Sequence, residues 1–209
     1  MLLDDAGYAF PVEGLGPGRR IALWVRGCAR RCPGCIAPEL WHAGTPRDIT
    51  QVADELLPFL VQADGLTISG GEPFEQAESL AALLDLLRAE SDIEALIYTG
   101  YRREELEARN DACADLLART DLLIDSPFHE AEANTLQWRG SDNQRVHLLT
   151  ERAQRHLPAI NAPMPEARPL QVQMLTPLRF RIIGIPRRGD LAAYRQALAA
   201  RGLEVAPDE

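Results

Sequence analysis

The chain has 209 residues, 46% of them hydrophobic and 25% charged, with a net charge of -9. This is ordinary for a globular protein with one sizeable core, and its acidity argues against a broad phosphate-binding surface, and so against nucleic acid as a partner. All 22 basic residues are arginine, which leaves no lysine for a Schiff base or a P-loop.

The opening residues, MLLDDAGYAF, carry Asp4 and Asp5 and no basic stretch, so they are not expected to be a secretory signal. No apolar run approaches the roughly 18 residues of a membrane span. After the GPG turn at 16–18, RIALWVRG puts Ile21, Leu23 and Val25 on one face and Ala22 and Trp24 on the other, the pattern of a strand buried on both sides. DITQVADELL reads as a helix with Asp48 as its N-cap. GLTISGGEP is a short strand ending in glycines, and EQAESLAALLDLLRAE places Leu80, Leu83, Leu84 and Leu87 on one helical stripe. IEALIYTG is a strand, REELEAR and ACADLLAR are helices, and DLLID is a strand. Strands alternating with helices predict an α/β fold with a parallel sheet or barrel, whose strand C-terminal ends carry the chemistry.

The chemically interesting segments follow those ends: the cysteines after the first of these strands, SGGEP after the second, YTGY after the third and DSPF after the fourth. WRGSDNQR reads as a polar contact segment or a turn leading into a strand. Residues 156–169, HLPAINAPMPEARP, read as a proline-rich linker. Beyond them LRFRIIGIP predicts one strand, with Arg179 and Arg181 on one face and Phe180 and Ile182 on the other, added to the open edge of the core sheet. DLAAYRQALAARG predicts a helix ending at a glycine. The expected division is a core over 1–155 and a linker plus strand–helix extension over 156–209.

Cys28, Cys32 and Cys35 fall within eight positions, spaced C-x3-C-x2-C, while Cys113 stands alone in a helical stretch. Three clustered cysteines and a remote one do not make a disulfide framework; they read as metal ligands in a reducing cytoplasm. Gly27 and Gly34 permit a tight wrap and Pro33 stiffens it. Iron–sulfur clusters usually take four protein thiolates. Three would leave one iron open, and an open coordination position marks a catalytic metal site. A structural zinc completed by His42, or three free buried cysteines, are the alternative readings. Gly70 and Gly71 either form an ordinary strand-to-helix turn, with Glu72 favourable at the helix N-terminus, or keep the backbone bare for a ligand. Asp125 reads as a turn residue or cap, and Tyr98, Thr99 and Tyr101 as packing or as lining of the mouth. No acid–base pair or Ser–His–Asp set stands out, and His129, His147 and His156 read as surface or packing residues.

GCARRCPGC followed by SGGEP resembles the radical S-adenosylmethionine (SAM) superfamily and, more narrowly, the activating enzymes of anaerobic ribonucleotide reductase. The similarity runs in register through GPGRR, the cysteine loop, SGGEP, YTGY, DLLIDSPF and WRGSDNQR, about residues 14–147. It implies a partial (β/α) barrel in which Cys28, Cys32 and Cys35 hold a 4Fe–4S cluster, with SAM's methionine end on the open iron. It also implies that Gly34, Cys35 and Ile36 pass beside the adenine, that Gly70, Gly71 and Glu72 meet the methionine amine, that Thr99 lines the same mouth, and that Asp125 and Ser126 approach the sugar. The implied reaction is reductive cleavage of SAM and abstraction of a hydrogen atom, with no catalytic side chain beyond cluster and SAM. For an activase that atom is the Cα–H of one glycine in a glycyl-radical enzyme, and the electron comes from a donor such as flavodoxin or ferredoxin; neither nucleic acid nor membrane is implied. The resemblance leaves two departures. Ser126 and Pro127 stand where such activases often carry a glycine and then a basic residue, and the chain runs on for about 60 residues past the motif set. A radical SAM enzyme acting on a peptide or small molecule, and a non-catalytic zinc or iron–sulfur module, are the alternatives.

Overall fold

The computed structural model describes residues 1–3, 5–132, 136–165, 170–177, 179–187 and 189–202. In chain order the elements are β1 (Leu2–Leu3), β2 (Asp5–Val12), β3 (Arg20–Val25), β4 (Arg47–Asp48), α1 (Ile49–Leu60), β5 (Gly65–Gly70), α2 (Ala77–Glu90), β6 (Ala95–Tyr98), α3 (Arg103–Glu107) and α4 (Asp111–Ala118). They continue with β7 (Leu122–Asp125), β8 (Arg145–Leu148), β9 (Gln171–Thr176), β10 (Arg179–Ile183) and α5 (Asp190–Ala199). One six-stranded sheet has the order β2-β3-β5-β6-β7-β8. Its four central strands are parallel, as the alternation with helices predicts. Both edges are antiparallel, β2 against β3 and β8 against β7.

Burial follows the side-chain period of the strands. Ile21, Leu23, Val25, Leu66, Ile68, Ala95 and Ile97 share the main core with α1, α2 and α4. The predicted stripe of Leu80, Leu83, Leu84 and Leu87 is fully buried within it. Asp48 caps α1, its Oδ1 accepting the Thr50 N–H at 2.8 Å. The opposite face of the sheet carries two smaller clusters, one around Ala22 and Trp24 with Ile183, the other around Leu96 and Ile124 with Trp138 and Ala153. β3 is therefore buried at every position, as a strand covered on both sides should be.

One strand was not foreseen, and one expectation needs correction. The sequence pattern of residues 5–12 did not announce β2, because Gly7 and Pro11 interrupt it. The C-terminal segment does not extend the core sheet: β9 and β10 pair with each other as a separate antiparallel hairpin. Its side chains meet edge strand β2 instead, Gln171 Nε2 donating to the Pro11 carbonyl at 2.7 Å and Gln173 Nε2 to that of Tyr8 at 3.0 Å. Residues 166–169 of the expected linker and the side chain of Arg179 lie outside the description. No helix among the described residues is long and apolar enough to cross a membrane.

Candidate functional site

The C-terminal ends of β3, β5, β6 and β7 lie side by side, and the cysteine loop leaves from the first of them. Two sets of hydrogen bonds fix its root. On one side the Gly71 N–H donates to the Val25 carbonyl and the Glu72 N–H to the Gly27 carbonyl, both at 2.8 Å. Gln76 Nε2 adds a bond to the Arg26 carbonyl at 2.9 Å, and the Glu75 carboxylate accepts from the Ala29 N–H at 3.1 Å. On the other side Gly27 and Cys28 donate to the carbonyls of Leu40 and Trp41, at 2.9 and 3.0 Å. The loop is thus clamped between its own downstream arm and the SGGEP segment.

The clamp gives both glycines a structural reason of its own. A Cβ on Gly71 would sit 2.2 Å from the Gly27 carbonyl oxygen, and one on Gly70 would sit 2.4 Å from the Val25 oxygen. Both are bare because backbone passes against them. Glu72 is nearly fully buried and ties the next strand end into the same cluster. Its Oε1 accepts from the Phe74 N–H at 3.0 Å and the Thr99 hydroxyl at 2.7 Å, and its Oε2 from the Gly100 N–H at 2.8 Å. Burial pushes its pKa up to about 7 against the pull of these donors.

Asp125, at the end of β7, is buried and accepts from the Arg103 N–H, the Arg145 guanidinium, His147 Nε2 and the Ser126 hydroxyl. Burial opposes its ionisation, but bonds from His147, Arg145 and the Arg103 N–H outweigh that and hold it well below the usual carboxylate range. Ser126 has a left-handed φ of 84°, the conformation glycine adopts freely. The backbone that a glycine would give at this position is kept by a serine, whose hydroxyl bonds Asp125 at 3.0 Å.

All three loop thiols are free and half-buried. Burial raises the pKa of Cys28 and of Cys35, so both are protonated until a metal displaces the proton. Beside them a cleft of about 460 Å³ is lined by Ala29, Arg30, Cys32, Tyr101, Phe128 and His129 among others. Arg30 Nε is buried there without a hydrogen-bond partner among the described residues. No three His, Cys, Asp or Glu side chains among the described residues gather closely enough for one metal ion. A roomy cleft and an unpaired buried donor beside the three thiols fit a sulfur-rich anionic cluster. Ile36 stands 56% exposed on the loop.

For several residues the partners were not legible in the sequence. Tyr101 lies under the guanidinium of Arg30 at 4.7 Å and that of Arg109 at 4.4 Å, and so joins the cysteine loop to the segment following α3. Arg145 and His147 lie two apart on one face of β8, but their shared partner Asp125 appears only once β8 pairs with β7. His156 bonds Glu94 at 3.0 Å on a different network. Cys113 is buried in the main core, where its Sγ meets the Phe74 carbonyl at 3.7 Å.

Residues 14–147 match the family described as 4Fe-4S single cluster domain. The chain is 32% identical over 150 residues to the anaerobic ribonucleoside-triphosphate reductase-activating protein of Escherichia coli K12, covering 67% of this chain and 96% of that protein. The protein of the same name in Vibrio cholerae is 34% identical over 152 residues, covering 68% and 96%. The pyruvate formate-lyase-activating enzyme of Staphylococcus epidermidis is 28% identical over 151 residues, covering 67% and 60%.

Proposed function

The chain belongs to the 4Fe-4S single cluster family and, within it, to the radical SAM glycyl-radical activases, and on that premise we propose that it generates a glycyl radical on a partner of the anaerobic ribonucleotide reductase type. The observation that carries the reading is the cysteine loop, clamped at the C-terminal end of β3 against Gly71 and Glu72 at the end of β5. A 4Fe–4S cluster with SAM supplies, when bound, one-electron reductive cleavage of the sulfonium and a radical able to abstract hydrogen.

The chain's own task is to bind, orient and shield. Cys28, Cys32 and Cys35 are the cluster ligands, and Cys113 is not. Gly34, Cys35, Ile36, Gly70, Gly71, Glu72, Thr99, Asp125 and Ser126 would hold SAM. Glu72 and Asp125 hold three loop ends in fixed relation, so the walls of the site are set before ligand arrives. The Tyr101 stack with Arg30 lines one side of the cleft. In this reading the sheet is the wall of a partial barrel, residues 1–155 form the core and 156–209 an extension. The electron comes from a small donor such as flavodoxin or ferredoxin in the cytoplasm. The extension keeps a peptide or small-molecule substrate as a second reading, because the family match ends at residue 147.

Anaerobic reconstitution tests the proposal. Wild type and Cys113→Ala should take up iron and sulfide and cleave SAM on reduction; Cys28→Ala, Cys32→Ala and Cys35→Ala should do neither. A glycyl-radical EPR signal on an added partner identifies the substrate. Stoichiometric zinc without sulfide in anaerobically prepared protein sinks the reading.

A further inference from the structure

The C-terminal hairpin lies outside the family match of residues 14–147, yet it touches the core beside the cysteine loop. Its polar face is the one turned inward. Gln171, Gln173 and Arg181 donate to the carbonyls of Pro11, Tyr8 and Ala6 on edge strand β2. The Glu13 N–H returns a bond to Gln171 Oε1 at 3.2 Å. Apolar Val172 and Met174 face solvent, 49% and 61% exposed. Edge capping by side chains explains this inversion, since unpaired edge carbonyls need donors.

Edge capping does not explain Ile183. It is 3% exposed, in one apolar cluster with Ala9, Val12, Ala22, Trp24 and Leu40. Trp24 stands four residues before Cys28 and Leu40 five residues after Cys35. The Leu40 carbonyl accepts the Gly27 N–H that roots the loop. The Arg181 guanidinium stacks over Trp24 at 4.5 Å. Residues of the tail therefore pack on both arms of the cysteine loop, at the place where those arms meet.

We propose that the β9–β10 hairpin is a positioning element for the cysteine loop, with Ile183 and Arg181 holding Trp24 and Leu40 so that the loop's two arms stay closed. The proposal rests on reading Cys28, Cys32 and Cys35 as cluster ligands. It makes the tail part of what fixes the thiol geometry, and not an appendage concerned with substrate alone. Truncating Ile183 leaves a void in the apolar cluster that includes Trp24 and Leu40, and a closed pair of arms exchanges its root amides only by opening.

Hydrogen exchange on the full-length protein without cluster tests it. Ile183→Ala should speed exchange of the Gly27 and Cys28 amides at least tenfold, while amides of α2 stay protected. Ile183→Val should restore most of the protection, and Met174→Ala, on the solvent face of the same hairpin, should change nothing at the loop. Should Ile183→Ala lose its fold, as seen by circular dichroism, Arg181→Gln gives the same comparison at the Trp24 stack. Unchanged loop exchange in a folded Ile183→Ala or Arg181→Gln protein, with faster exchange confined to β9 and β10, overturns the proposal and leaves only an edge cap. Iron and sulfide uptake by the wild type is measured separately, so a failed cluster assignment is told apart from a failed positioning role.

Discussion

Asp125 shows how one side chain carries several constraints at once. It is the meeting point of β7, β8 and the start of α3, through the Arg145, His147 and Arg103 bonds. Because its folded pKa is depressed, the stability it contributes is present above its unfolded value of 3.8 and is lost as pH falls below it. Asp125→Asn should cost about 3 kcal/mol at pH 7, the range for charge-assisted bonds lost from a buried acceptor. Thermal unfolding of the cluster-free protein from pH 7 to 3 checks this. The gap between wild type and variant should be constant down to about pH 4 and narrow below it; a gap that widens on acidification contradicts the assignment. Glu72 has the opposite balance, with burial dominating its donors and raising its pKa to about 7. Both acids are inaccessible to solvent, and the charged partners of Asp125 have no counterpart at Glu72.

At the scale of elements, the decisive feature is the contact between two loops that are distant in sequence. The SGGEP segment presents bare backbone to Val25 and Gly27, with the added Cβ of Gly71 falling 2.2 Å from a carbonyl oxygen. A carbonyl in a clamped loop cannot yield cheaply, so Gly71→Ala should displace the cysteine loop. We expect iron uptake on reconstitution to fall at least several-fold, with cluster loss preceding any effect on SAM affinity. Normal iron loading in the variant would show that the approach to the Gly27 carbonyl is not what requires a bare residue here. The glycine pattern was readable as a close approach; which group approaches was not, because that depends on β3 and β5 lying side by side in register.

For the molecule as a whole, the end of the sheet opposite the cysteines is closed by charge. Arg20, fully buried in β3, donates to Thr67 Oγ1 at 2.6 Å, to Glu94 at 3.2 Å and to the Leu66 carbonyl at 2.8 Å. Glu94 in turn accepts from Arg155 and His156, which binds the turn of residues 152–159 to the sheet. Glu94→Ala strands the Arg20 guanidinium in the core and should destabilise by about 3–5 kcal/mol. Glu94→Gln retains an acceptor and should cost clearly less. Urea unfolding midpoints of the two variants decide between this and a solvated, replaceable pair, for which both losses would be small and equal.

The chain's local patterns determined much of this by themselves. Leucine spacing specified α2, the cap residue Asp48 specified the start of α1, and the alternation of strands and helices specified a parallel sheet whose strand ends gather the motifs. These features were legible because each is fixed by neighbours within a few residues, through helical period, capping and pleat. The C-x3-C-x2-C spacing pointed to the chemistry for the same reason. Edge strand β2, the inverted polar face of the hairpin, and the partners of Asp125, Gly71 and Ile183 were decided only in the folded molecule. Each depends on a contact across many residues, where an open sheet edge needs donors, a passing backbone needs space and an apolar pocket needs filling. Those requirements belong to the assembled surface, and no short stretch of the chain contains them.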